Sequence, residues 1–234
     1  MMFKINVMQK KNDSPQAHND FEYSFDEEEE LTIPHYGENN YWDSRYQADE
    51  EVFDWYFEWS DISPLIKNYF SKDLKEGQTL VLGCGNSTMS ADLFHDGFKT
   101  IESIDISPTV IEKMQMKYSD IPNLKWKVMD CSDLNYPDEH FRVIFDKGTI
   151  DAILCNISRD KIIPKMLSEI YRVLEPNGKF FIITFGPPSE RLDFFRRIKL
   201  DWYLHPPLSV HYEFSSAKKS KTYIYIFEKQ QKST

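Results

Sequence analysis

Cysteine is scarce in this 234-residue chain: Cys84, Cys131 and Cys155 are the only three, and none sits in a C-x-x-C pair. So odd and sparse a set argues against a disulfide framework or a zinc site, and it fits a reducing compartment; a cytoplasmic location is expected. Long apolar runs are missing too. None approaches the ~20 residues that cross a bilayer, and neither end carries a recognisable leader or lipid-anchor signal, so no membrane partner is expected. Positive charge is in deficit, with 28 Lys and Arg against 38 Asp and Glu, a net charge of -10. That disfavours direct nucleic-acid binding, where affinity comes from basic side chains neutralising phosphates. It suits a basic partner or plain solubility.

Apolar residues make up 41% of the chain and aromatics 15%, ample for a core. Residues 1–34 stand apart. They are polar and patternless, and they hold the like-charge block FDEEEE from Phe25 to Glu30. A disordered acidic arm is expected there, followed by one folded domain over 35–234. The sequon at Asn156 reads as a chance match. From His35 to Phe70 aromatics crowd the chain, including Trp42, Tyr46, Phe53, Trp55, Tyr56, Phe57 and Trp59. Leu65, Ile66, Tyr69 and Phe70 recur at helical spacing, which predicts a helix capped by Ser63 with Pro64 in its first position.

After Gly77 short apolar strands alternate with amphipathic helices. TLVLG, TIESIDIS, LKWKVMD, FRVIFDKGT and KFFIITF read as strands. Helices are predicted over about 87–95, from Ser107-Pro108 onward, and over about 159–174, the last stopped by EPNG. Alternation of this kind implies parallel βαβ units and a doubly wound α/β sheet. The end departs from it: KLDWYLHPPLS and KTYIYIFEK read as two strands without a helix between them, an antiparallel hairpin.

In such a sheet, ligands sit at the carboxyl ends of the strands near the switch point. The first bend there is Gly83-Cys84-Gly85, where missing Cβ atoms let backbone approach a ligand. No Lys follows in the P-loop position, and Thr88 stands where a dinucleotide fingerprint needs its third glycine. S-adenosylmethionine, which has no pyrophosphate, tolerates the loss of that third glycine. Asp105 closes the second strand and suits two ribose hydroxyls, a need that NAD shares. Asp130 closes the third strand and suits an adenine amino group. Each acid also reads as a loop residue or helix cap.

YWDSRY, FDWY, LVLGCGNS, SIDIS, DKGTIDAIL and EIYRVLEPNGKF together resemble class I S-adenosylmethionine-dependent methyltransferases. Within these they are most similar to the branch that methylates lysine in translation elongation factor one-alpha. The resemblance runs from about Tyr36 to Lys229 and implies a Rossmann-like, doubly wound, seven-stranded, mainly parallel sheet with the C-terminal antiparallel hairpin. It also implies cofactor contacts at Trp42, Tyr46, Trp55, Gly83 and Gly85, at Asp105 and Ile106 for ribose and adenine, at Asp130 and Cys131 for the adenine ring, and at Lys147 near the methionine end. The expected partner is a basic protein substrate, and the enzyme is expected to be a monomer. Asp146 and Asp151 flank the KGT turn, where they would either orient the target amine or cap the local structure. No [DN]-P-P-[YFW] motif stands after strand four, which counts against nucleic-acid amines. A small-molecule methyltransferase, and more remotely an NAD-dependent oxidoreductase, are the competing readings.

Overall fold

The computed structural model describes residues 35–48, 51–215 and 218–231. The expected acidic arm lies outside the described residues. Among the described residues, eight strands form one sheet: β1 Gln78–Leu82, β2 Thr100–Asp105, β3 Leu124–Val128, β4 Phe141–Lys147, β5 Leu174–Thr184, β6 Trp202–Leu204, β7 Leu208–Ser215 and β8 Lys218–Lys229. Their order is β3-β2-β1-β4-β5-β8-β6, with β7 also on β8. The first five strands pair in parallel, and β8 runs antiparallel to its neighbours. The helices are α1 Asn39–Ala48, α2 Trp59–Ile66, α3 Lys72–Glu76, α4 Met89–His95, α5 Pro108–Lys117, α6 Thr149–Leu154, α7 Arg159–Val173 and α8 Pro188–Arg197.

The strand count of eight corrects the expected seven. Pro206-Pro207 divides what reads as one strand, because proline has no N–H for the ladder. β6 pairs with the C-terminal end of β8 at Phe227–Lys229, and β7 takes its N-terminal part up to Ile224.

Side chains alternate along each central strand and build two cores. Val81, Val143, Phe145, Phe181, Ile183, Ile224 and Ile226 pack with Ile62, Leu93, Val110 and Met114 from α2, α4 and α5. Leu80, Leu82, Ile144, Phe180, Ile182, Tyr225 and Phe227 pack with Ile150, Ile163, Leu167, Ile170 and Phe195 from α6, α7 and α8. Helices therefore cover both faces, as parallel strands require.

Two local readings change. α2 starts at Trp59, four residues before the predicted cap, and carries Pro64 in its interior. Its start is set by Glu58 and Asp61, whose carboxylate accepts from the Glu58 N–H at 3.3 Å. The EPNG segment does end α7, but β5 begins at once. Leu174 pairs with Phe141, residues 175–178 loop out with Asn177 at φ +62°, and the ladder resumes where Lys179 meets Val143. The predicted cap of α5 holds: Ser107 Oγ accepts from Val110 N at 3.3 Å, with Pro108 in the first position.

Candidate active site

The chain runs from β1 outward to β2 and β3, then returns to the other side of β1 as β4. The resulting switch point lies between β1 and β4, and a cavity of about 550 Å³ opens at the carboxyl ends of these strands. Its floor is the glycine bend. Gly83 and Gly85 both adopt left-handed backbone, at φ +52° and +51°. A Cβ on Gly83 would lie 2.2 Å from Thr149 Oγ1, and one on Gly85 would lie 2.6 Å from the Tyr46 hydroxyl oxygen. The need for glycine thus comes first from the chain's own neighbours, with the bend's backbone left facing the cavity.

Asp105 ties the bend to β2. One carboxylate oxygen accepts from Gly85 N at 2.9 Å and the other from Ser107 N at 3.0 Å. Burial pushes the Asp105 carboxyl up from its ordinary value, and these backbone N–H groups oppose the shift. Asp130 and Cys131 follow β3, and Asp130 accepts from Ser132 N at 2.7 Å. Burial raises the Cys131 thiol well above its ordinary value, so it is a small packed group facing the cavity.

The far wall is aromatic and comes from the segment ahead of the sheet. Trp42 stacks between Tyr36 and Tyr46, and Trp55 meets Tyr36, Trp42 and Phe53. Trp42 Nε1 donates to Tyr36 O at 2.8 Å. α1 is fastened to α5 through Asp43, which accepts from Ser107 Oγ at 2.5 Å and Thr109 N at 3.2 Å. On the other side, Asn156 donates to the Gly37 carbonyl, and the close approach there leaves no room for a Cβ on Gly37.

The structure brings every expected cofactor contact to this one cavity: Trp42, Tyr46, Trp55, Gly83, Gly85, Asp105, Ile106, Asp130, Cys131 and Lys147 all line it. Lys147 has a further commitment. Its ammonium pairs with Asp54 and donates to Trp55 O at 3.2 Å and Phe57 O at 3.3 Å. Burial lowers its pKa, against the pull of Asp54.

Asp146 and Asp151 are not brought to the cavity. Asp146 is fully buried and caps α6, both oxygens receiving Ile150 N at 3.3 and 3.1 Å. Asp151 is enclosed by Tyr56 Oη at 2.7 Å, Thr184 Oγ1 at 2.6 Å and Arg191 Nη2 at 2.5 Å. The Asp146 contacts are those of the strand-end capping alternative, whereas Asp151 bonds no backbone N–H of α6 and instead ties that helix to Tyr56, Thr184 and Arg191. Sequence reasoning missed Tyr36, Met129, Thr149 and Asn156, which also line the cavity. Asn156 carried a visible signal, the sequon, that pointed elsewhere.

The family described as a methyltransferase domain matches residues 80–182, from β1 to β5. EEF1A lysine methyltransferase 4 of Mus musculus is 35% identical over 179 residues, 72% of this chain and 69% of that protein. The eEF1A lysine and N-terminal methyltransferase of Mus musculus is 33% identical over 153 residues, 64% of this chain but only 22% of that longer protein. Among solved structures, a SAM-dependent methyltransferase from Methanosarcina mazei superposes with a TM-score of 0.56 at 17% identity, covering 77% of this chain and all of that one. That likeness speaks for the fold alone. The glycine bend, the acid closing β2 and the similarity to the mouse proteins agree: the chain belongs to the class I S-adenosylmethionine-dependent methyltransferases, in the branch of the EEF1A lysine methyltransferases.

Proposed function

We propose that this protein transfers a methyl group from S-adenosylmethionine to a lysine side chain of translation elongation factor 1-alpha. The observation that carries the reading is an aromatic-walled cavity over the glycine bend, in a chain whose relatives are named for that reaction.

The residues present fit the cofactor. The Asp105 carboxylate accepts from Gly85 N and Ser107 N, with Ile106 N also directed at it, and keeps acceptor capacity for ribose. Asp130 would take the adenine amino group, with Ile106 and Cys131 beside the ring. Bound there, the cofactor supplies a methyl group on a cationic sulfonium, from which a neutral thioether leaves. The chain has to align the amine and exclude water. A lysine ammonium, with a reference pKa near ~10.4, must first lose a proton. Tyr36, Trp42, Phe53 and Trp55 strip water from it, which favours the neutral amine, and their faces hold the cation on its way in. Asp146 and Asp151 do not line the cavity, so neither is placed to take that proton, which passes to solvent.

Two further points belong to this reading. The three cysteines are free thiols, which supports a cytoplasmic site of action. Among the described residues no helix is long and apolar enough to cross a membrane. The protein is taken to act as a monomer.

The test is incubation with recombinant elongation factor and methyl-labelled cofactor, read by mass spectrometry. Label on a lysine of the factor is expected, and Asp105→Ala should remove it. Unlabelled factor beside labelled metabolites in a cell extract would make the protein a small-molecule methyltransferase instead.

A further inference from the structure

The aromatic wall has an unusual support. Residues 51–57 carry Phe53 and Trp55 into the cavity without belonging to any helix or strand. No ladder holds this strap, so side chains must. Phe53 N donates to Asn86 Oδ1 at 3.1 Å, and Asn86 Nδ2 donates to Glu51 O at 2.6 Å. Tyr56 sits at φ +66° and reaches Asp151. At the centre is Asp54, which is absent from the cavity lining. Its carboxylate receives Ser87 Oγ from the glycine bend and the Lys147 ammonium from the end of β4, and it faces Thr88 N at 3.5 Å. Lys147 spends its remaining protons on Trp55 O and Phe57 O. Both partners are nearly dry, with side chains 13% and 6% exposed for Asp54 and Lys147.

We propose that Asp54 is the positioning residue of this site: by bridging Ser87 and Lys147 it pins the strap, and through the strap it sets Trp55 and Phe53 against the bound cofactor. Lys147 then serves the strap, and its ammonium is not a contact to the methionine carboxylate. The proposal rests on the cofactor reading above. It predicts that strap order and cofactor affinity change together, in step with the ion pair.

Asp54→Asn, Lys147→Met and the double variant separate the possibilities. Removing one partner of a buried pair strands a charge and destabilises the fold, whereas removing both is often neutral. The double variant should therefore melt close to wild type. Calorimetric titration with adenosylhomocysteine should show roughly tenfold weaker binding in each single variant, and no further loss in the double, because both changes break one interaction. Hydrogen exchange should rise over residues 51–58 in all three variants while peptides from β1 and β4 keep their protection.

Three results would overturn the proposal. Wild-type affinity in Asp54→Asn beside a loss in Lys147→Met would make Lys147 a direct ligand. Unchanged exchange over 51–58 would show that the pair does not hold the strap. Affinity regained in the double variant along with its melting temperature would reduce the pair to a structural role. If the wild-type chain itself fails to bind adenosylhomocysteine, the cofactor reading falls, and the exchange data still judge the anchor.

Discussion

Gly85 is a residue with two demands on it. Its φ of +51° strains any L side chain, and a Cβ would strike the Tyr46 hydroxyl oxygen at 2.6 Å. Gly85→Ala is predicted to cost about 1–3 kcal/mol in a denaturant melt. Adding Tyr46→Phe removes the colliding oxygen but not the backbone strain, so the double variant should recover part of the loss. Complete absence of recovery would show that the close approach is not a source of the cost. The same residue shows how a motif is read. Glycine at this position signals a bend, and a ligand was the natural explanation for it. Tyr46, 39 positions earlier in the chain, is what fills the space above its missing Cβ.

At the scale of elements, the junction of β4 and α6 joins structure to titration. Asp146 stands one residue before the end of the strand and caps the helix, and burial, aided by the negative charge of Asp151 and opposed by the N–H groups of Ile150 and Thr149 and by Arg191, moves its carboxyl up to about 8. In the unfolded chain the value returns to ~3.9. Between these values the folded state holds a proton that the unfolded state has released. This contribution to stability is therefore complete below the unfolded pKa and is lost as pH rises through about 8. Asp146→Asn keeps an acceptor for Ile150 N and has no charge to bury. Its melting temperature relative to wild type should climb from pH 6 to pH 9, and a constant difference over that range would exclude Asp146 as the responsible group. The start of α2 belongs to this scale as well. Ser63-Pro64 has the composition of a helix start, yet Trp59 and Ile62 are buried against the core and draw the helix back to Glu58.

For the whole molecule, the site is assembled from pieces far apart in sequence: the α1 segment and the strap before the sheet, the ends of β1, β2, β3 and β4, and the loop after α6. A ligand that binds only this assembled state must stabilise it. Adenosylhomocysteine at ~100 times its dissociation constant should add about 2.7 kcal/mol. For a chain of this length that corresponds to about 5–10 °C in melting temperature. NADH should give no shift. A shift with NADH and none with adenosylhomocysteine would return the chain to the oxidoreductase reading.

The sequence by itself determined the doubly wound order, the antiparallel end, the glycine bend and the acids closing β2 and β3. These are local properties: hydrophobic period, turn chemistry and the residue that ends a strand all lie within a few positions of one another. Tertiary structure alone decided that the aromatic segment folds over the cavity, that Asp151 turns away into the company of Tyr56, Thr184 and Arg191, and that Lys147 finds Asp54 across 93 positions. Such pairings have no periodic signature. They arise when packing the sheet brings distant segments together and each buried charge must meet a partner there.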